Sequence, residues 1–380
     1  MIEKISHHIN RNLPFLKGKK LLVAISGGID SVALTYLLSE LDFNISLAHC
    51  NFNLRGKESD LDEYFVKKLG EKLDLPVFTT HFNTEVFAKE NKQSTQIAAR
   101  SLRYNWFQKL KEEHSFDYIL TAHHADDNLE TFLINLTRGS GLDGFTGIPE
   151  INGRIVRPLL RFSRKEILTF IKEKKIDWRE DKTNTQTKYI RNKIRHKVIP
   201  FLKEINPNLL NSFAKTAEYL KESQHIIKDR IKKVASEVLT EDKNTIAINI
   251  QKVEKLSNPK AYLYQLLKTY NFTEWNDVYN LLSAQSGKQV LSKTHTLLKD
   301  RGSLVLFKNI CTTSIESIFI QENELEITKP IHLKIEIVLE KSRKNKETIF
   351  IDKEKCVFPL QLRRWQKLNG LEKRNGSITK

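Results

Sequence analysis

The sequence predicts an α/β protein: a doubly wound parallel sheet, then a mainly helical middle domain, then a small α+β C-terminal domain. Three observations predict it. Apolar strand-like runs alternate with helical patterns over the first 140 residues, the mark of parallel strands with helices on both faces. The segment from about 215 to 285 keeps a mostly helical spacing. From about 288 onward short strand-like stretches take over, as in KQVLSKTHTLLKDRGSLVLF, HLKIEIVL and ETIFID. The expected domains are 1–213, 214–310 and 311–380.

In chain order, strands are expected at 20–25, 44–50, 76–81 and 117–122, with helices near 31–41, 60–73, 95–113 and 127–138. In such sheets ligands sit beyond the carboxyl ends of the strands, at the switch point. SGGIDS and HHADD each follow a predicted strand, so they are expected to face one crevice. The glycine-rich run GSGLDGFTGIP at 139–149 reads as a loop, and as a candidate lid. Further helices are expected at 163–174, 189–203 and 207–236. No internal repeat or heptad seam occurs, which removes solenoid readings.

Composition narrows the class. A hydrophobic content of 39% with 29% charged residues describes a globular chain with a sizeable core. No run approaches 18 apolar residues, so no membrane span is expected. The opening MIEKISHHIN lacks the apolar region of a secretory signal. Cys50, Cys311 and Cys356 are isolated, with no C-x-x-C. This argues for a reducing, cytoplasmic setting and against a disulfide framework or a cysteine metal site. Lys and Arg number 63 against 46 Asp and Glu, a net +17. Such a charge attracts a polyanion, nucleic acid or an anionic membrane, unless it is only a generic basic surface.

The stretch Ser26-Gly27-Gly28-Ile29-Asp30-Ser31 lies between an apolar strand and a helix. Glycine lets backbone N–H groups approach a ligand closely, and the helix N-terminus adds its positive dipole end. Together they suit a phosphate. The spacing is neither G-x-x-x-x-G-K-[ST] nor G-x-G-x-x-G. Asp30 would repel a phosphate unless a cation intervenes, so Mg²⁺ at Asp30 is expected. The bland alternative is a plain turn with Asp30 or Ser31 as helix cap.

Three further constellations follow. Asp127 and Glu130, within HHADDNLET, share a helix face. The pair can hold an ammonium group. It can equally form a capping box with Asp127 as N-cap. His124 can orient a phosphate or a base, or be structural. Arg100 and Arg103, in AARSLRY, can meet phosphates bidentately or merely face solvent. Tyr189 to His196 reads YIRNKIRH, and residues 182–203 carry seven Lys or Arg and no acidic residue.

SGGIDS resembles the pyrophosphate-binding loop of the PP-loop ATPase superfamily, whose fold is similar to that of the adenine nucleotide α-hydrolases. That superfamily splits ATP between the α- and β-phosphates. The four constellations in this order resemble the tRNA(Ile)-lysidine synthetase family. So do R-G-S-G at 138–141, R-P-L-L at 157–160 and D-W-R-E-D-K-T-N at 177–184. The resemblance is close over residues 20–205 and weak through the middle. Phe358 to Gln366 resembles the start of that family's C-terminal domain, which the sequence then leaves at Lys367-Leu368-Asn369-Gly370. The C-terminal domain therefore reads as cut short.

The resemblance implies a carbon–nitrogen ligase acting in tRNA modification. Its substrates are ATP, free L-lysine and the isoleucine tRNA with a CAU anticodon. The C2 carbonyl oxygen of the wobble cytidine attacks the α-phosphate of ATP and pyrophosphate leaves. The lysine ε-amine then attacks C2 and AMP departs, giving lysidine. For this sequence it implies Ser26, Gly27, Gly28, Ile29, Asp30, Ser31, Arg103 and His124 at ATP, and Asp127 and Glu130 at lysine. Arg191, Lys193, Arg195 and Lys197 fall to the tRNA. Asp30, Asp127 and Arg195 take the catalytic roles. Asp30, Asp127 and Glu130 all remain open as the base toward lysine. A homodimer is also implied. Two rivals stand beside this reading: a cytidine-thiolase-like PP-loop enzyme, which would want paired cysteines, and a non-catalytic RNA-binding protein with a residual nucleotide site. An amide ligase that adenylates a carboxylate would not need the basic segment.

Overall fold

The computed structural model describes residues 1–180, 190–309, 318–328, 332–338 and 348–362. The chain divides into two units, Met1–Lys232 and Lys233–Lys380. The expected features at Asp181–Asn184, Tyr189, Cys311 and Arg363 to Gly370 lie outside the described residues.

The first unit opens with helix α1 (Ile2–Asn12), absent from the sequence expectations. Its signal is short: Ile5 and Ile9, one turn apart, are both buried. Strand β1 (Leu21–Ala24) and helix α2 (Ile29–Glu40) follow, then β2 (Ile45–Asn51), α3 (Lys57–Leu73) and β3 (Val77–His81). A short α4 (Thr84–Glu90), also unforeseen, leads into α5 (Thr95–Glu113), which Ser94 caps through the N–H of Ile97. Then come β4 (Tyr118–Leu120), α6 (Ala125–Thr137), a one-turn α7 (Leu142–Phe145), β5 (Ile151–Asn152), β6 (Ile155–Val156) and α8 (Arg164–Glu173).

The six strands order as β3-β2-β1-β4-β6-β5. All pair in parallel except β5, which pairs antiparallel with β6. The chain builds outward from β1 to β3, then returns to place β4 on the other side of β1. The strand order therefore reverses between β1 and β4, where their following loops open a crevice. Alternation along β1 serves two cores. Leu21 and Val23 pack with Leu34, Leu37 and Leu38 of α2 on one face. Leu22 packs with Phe107 and Leu110 of α5 on the other. With Leu34 fully buried, Leu34→Ala would cost about 2–5 kcal/mol.

The helix expected over 189–203 is three pieces. They are α9 (Ile190–Lys193), a π-helical turn (Ile194–Val198) and α10 (Ile199–Ile205). Pro200 sits in the first turn of α10, where its missing N–H is harmless. The long helix α11 (Leu209–Val238) follows. Leu129 of α6 packs with Ile194, Ile199, Phe213 and Ala217, holding α6 against these helices.

The second unit departs from the helical expectation. Strands β7 (Leu239–Asp242) and β8 (Thr245–Asn249) form a hairpin before α12 (Ile250–Glu254), α13 (Pro259–Leu267) and α14 (Trp275–Asn280). They join β9 (Gln289–Leu291), β10 (His295–Asp300) and β11 (Ser303–Lys308) in an antiparallel sheet ordered β7-β8-β11-β10-β9. The Thr-Ile-Ala-Ile-Asn alternation puts Ile248 into a core with Val234, Leu263, Leu297 and Leu304. Period two over five residues is a strand signal that the flanking helical pattern masks. Beyond it, β12 (Ile318–Ile320), β13 (Glu326–Ile327), β14 (Leu333–Lys334) and β15 (Leu360–Leu362) pair as β12 with β15 and β13 with β14.

Candidate functional site

The glycine turn follows β1 directly. Gly27 has φ +84°, a left-handed conformation that glycine adopts without strain. A Cβ there would meet Phe65 Cδ1 at 3.4 Å and the Arg179 side chain at 3.7 Å. Arg179 straps the turn. Its backbone N–H donates to the Gly27 carbonyl at 2.9 Å, and its guanidinium holds Asp62 and Glu58 at 2.8 and 2.7 Å. The sequence offered Arg179 only as part of a motif. Ser26 is exposed and Gly28 half-buried, so the outer side of the turn stays open. Gly28 is the N-cap of α2 and supplies no side-chain oxygen to the helix. Ser31 instead turns inward. Its hydroxyl donates to the Gly28 carbonyl at 2.9 Å and accepts from the Ser26 N–H at 3.2 Å. Ile29 packs into the core beneath.

Asp30 stands in the first turn of α2, and its Oδ1 is buried with no hydrogen-bond partner. Its Oδ2 lies 3.6 Å from His124 Nε2. This contact joins the loop after β1 to the loop after β4, as the shared crevice requires. His124 is the N-cap of α6: its Nδ1 accepts from the Asp127 N–H at 3.3 Å, and the Asp127 carboxylate accepts from the His124 N–H at 3.1 Å. The capping box therefore exists one turn earlier than the sequence reading put it. Asp127 is the residue that reaches back, not the N-cap, and Glu130 takes no part.

Glu130 has another partner set. Arg191 gives Nε to Glu130 at 2.8 Å and Nη2 to Asp127 at 3.0 Å. Arg195 gives Nε to Glu130 at 2.5 Å and Nη2 to Asp127 at 3.1 Å. Glu130 is fully buried and Asp127 nearly so. The two arginines lie four apart on α9 and the π-helical turn. They meet carboxylates three apart on α6. Lys193 and Lys197 lie exposed, without an ion pair among the described residues. The basic segment thus splits into an inward pair and an outward pair. Asp126 accepts from the Arg164 N–H at 2.8 Å and from Lys203 Nζ at 2.6 Å, tying α6 to α8 and α10.

Burial opposes ionisation of Asp127. The charges of His124 and Arg191 outweigh it and hold the carboxyl below its usual range. Burial opposes a charged His124 too, but the Asp30 carboxylate at 3.6 Å and the other neighbouring carboxylates raise its pKa. The cap tautomer, with Nδ1 accepting, is the neutral one. Capping and protonation therefore compete at this ring. His123 is pushed down to about 4, first by burial and then by Arg157, Arg191 and Arg100, against the pull of Asp127.

Arg103 lies over the loop after β2. Its guanidinium lies 5.2 Å from the centre of the Phe52 ring, just past the carboxyl end of β2. Arg100 covers Tyr104 at 4.9 Å in the same way. The 139–149 segment is anchored at its far end. Asn128 Oδ1 accepts from the Ile148 N–H at 2.6 Å, and Asn135 holds the Gly144 carbonyl at 2.8 Å.

No helix among the described residues is long and apolar enough to cross a membrane. The described residues contain no cluster of three or more metal-ligating side chains. A family model described as PP-loop domain matches residues 1–202, and one described as TilS substrate binding domain matches residues 241–309. The tRNA(Ile)-lysidine synthase of Bacteroides thetaiotaomicron is 38% identical over 96% of this chain and 83% of its own. The one from Parabacteroides distasonis is 38% identical over 96% and 84%. That of Chlorobaculum tepidum is 36% identical over 76% of this chain and 90% of its own. With the glycine turn, Asp30 and the α6 carboxylates already converging on one crevice, the chain belongs to the tRNA(Ile)-lysidine synthase family of PP-loop proteins.

Proposed function

We propose that this chain converts the wobble cytidine of the CAU-anticodon isoleucine tRNA to lysidine, with ATP and free lysine as co-substrates. One observation supports the reading: an open amide turn with the partnerless Asp30 oxygen meets, across His124, the start of the helix that carries Asp127 and Glu130, with the His124 Nε2 3.6 Å from Asp30 and 3.4 Å from Asp127. A nucleotide cradle and a cation trap thus share one crevice.

The backbone N–H groups at Gly28 and the start of α2 receive the pyrophosphate portion of ATP, aided by the helix dipole. A carbonyl oxygen is a weak nucleophile, so the rate comes from positioning and from charge placed at the α-phosphate. The buried Oδ1 of Asp30 fits Mg²⁺, which takes one or two carboxylates plus phosphate oxygens rather than an all-protein cage. When bound there, the ion neutralises phosphate charge. The base oxygen displaces pyrophosphate, forming the O–P bond as the bridging P–O bond breaks. Lysine then loses an ε-proton, its nitrogen bonds to C2, and the C2–O bond breaks to release AMP.

Asp127, held low by His124 and Arg191, suits gripping an ammonium better than accepting its proton. The substrate's ammonium must share these carboxylates with Arg191 and Arg195. The freed guanidinium groups then face the phosphates, where a planar fork binds well. Lys193 and Lys197 face outward, as contacts to RNA phosphates require. Anticodon bases are already single-stranded, so presenting the cytidine costs little unstacking.

The thiolase reading loses ground at Cys50. Burial pushes its thiol up to about 12, far from the thiolate that sulfur chemistry needs. The test supplies ATP, labelled lysine and isoleucine tRNA transcripts with CAU or GAU anticodons. Label is expected in the CAU transcript alone. Label in neither overturns the reading.

A further inference from the structure

Arg157 differs from Arg179, Arg191 and Arg195. It is 4% exposed. Its Nη1 donates to the Pro149 carbonyl at 2.7 Å, and its buried Nε has no partner. Arg179, Arg191 and Arg195 each hold two carboxylates, yet no carboxylate of the described residues pairs with Arg157. A buried charge without a counter-charge is costly, and proteins pair such charges or leave them for a ligand.

Its neighbours sharpen the point. Burial holds the Arg157 guanidinium below its usual range, Arg100 adds repulsion, and only the Tyr104 hydroxyl eases it. His123, within reach of the Arg157 charge, is neutral at pH 7 and brings no negative charge; the Asp127 it also faces is already held by Arg191 and Arg195. Arg100 itself is exposed over the Tyr104 ring. The corner is therefore two guanidiniums and a hydroxyl with no anion among them.

Its place in the fold points to a substrate. Arg157 directly follows β6, which pairs with β4. It therefore stands on the same carboxyl edge as the glycine turn, two strands along. At the usual strand spacing that is roughly 10 Å from the end of β1. A nucleotide with its phosphates on the glycine turn leaves this corner for another phosphate.

We propose that Arg157, Arg100 and Tyr104 form a phosphate-binding corner that takes a backbone phosphate of the RNA beside the cytidine being modified. The assignment rests on the RNA-modifying function above. Arg157 supplies the planar fork, Tyr104 a neutral donor, and Arg100 a screened charge at the rim. The Pro149 carbonyl fixes the fork's orientation.

The test uses the full chain and the variants Arg157→Gln and Arg100→Gln. Glutamine keeps a donor for the Pro149 carbonyl but removes the charge. Without ligand, Arg157→Gln is expected to melt no lower than wild type. Inorganic phosphate is expected to raise the Tm of wild type, and the variant should keep only the part of that rise that the glycine turn gives. It should bind a CAU anticodon stem-loop about tenfold more weakly, the size expected for one charge-assisted bond, with ATP affinity unchanged. A variant that melts lower yet binds the stem-loop normally would make Arg157 a structural tie and end the proposal. Weakened ATP binding with intact stem-loop binding would move the phosphate to the nucleotide and overturn the RNA assignment. If Arg157→Gln fails to fold, Arg100→Gln decides: unchanged stem-loop affinity sinks the corner, and a severalfold loss supports it. Wild type that makes no lysidine on the CAU transcript would fail the function itself, whereas lysidine formation with unaffected variants fails only this site.

Discussion

At the first turn of α2, Asp30 turns one oxygen toward His124 and leaves the other buried without a partner. The role proposed for it is electrostatic, so Asp30→Asn, which keeps the shape and removes the charge, tests it. ATP–pyrophosphate exchange is expected to fall by about 10²–10³-fold, the usual loss for one transition-state stabiliser, while tRNA affinity stays near wild type. Normal exchange in this variant would take Asp30 out of the chemistry. Gly27→Ala tests the turn itself. Alanine at φ +84° costs about 1–2 kcal/mol, with Phe65 at 3.4 Å leaving little room to relax. ATP affinity should fall with it, as isothermal titration would show. Glu130→Gln removes one of the two charges that grip the α6 cation site. The KM for lysine is expected to rise about tenfold or more, and an unchanged KM would place the lysine elsewhere.

At the scale of elements, Asp126 holds α6 against α8 and α10 through the Arg164 N–H and Lys203. Burial works against its ionisation, but these two donors hold its carboxyl below the usual range. A depressed carboxyl contributes stability above its unfolded pKa, about 3.9, and loses it as pH falls through the folded value. Lys203→Met should therefore lower stability by about 1–3 kcal/mol at pH 7. The gap to wild type should narrow below about pH 4, as paired thermal melts would show. A gap that persists at low pH would assign the loss to packing of the lysine stem instead. Elements were legible where pattern is local. The β1 run and the helix over 95–113 follow from apolar spacing, whereas the reversal between β1 and β4 is set by strand pairing that chain order does not state. The box at His124 was misplaced by a turn because Asp is a commoner cap than His. The grip of Arg191 and Arg195 on Asp127 and Glu130 was not legible at all. Those partners stand 61 to 68 residues apart in sequence, and only packing through Leu129 and Ile194 brings them together. The same holds for Arg157, whose lack of a counter-charge is a fact about its surroundings rather than its neighbours in the chain.

At the scale of the whole molecule, a net +17 gives long-range attraction for a polyanion, screened within about 10 Å at 0.1 M salt. The affinity for tRNA is expected to fall with salt, with a log–log slope near −0.7 for each phosphate neutralised on a single strand. Removing Lys193 and Lys197 together should flatten that slope by roughly 1.4. An unaltered slope across a salt series would remove both from the RNA footprint. The inward arginines should contribute less to the slope, because their pairs with the buried Asp127 and Glu130 are screened less than exposed charges.

The far-apart pairing at α6 has a consequence for biogenesis. A ribosome finishes α6 before it reaches Arg191, 61 residues beyond Glu130. At 5–20 residues per second that interval lasts roughly 3–12 s. Through that time Asp126, Asp127 and Glu130 have none of their later basic partners. The nascent helix must keep its acidic face in water, and docking waits for translation to deliver the cations. Stalling within this window would leave an acidic, undocked helix, a natural target for chaperones.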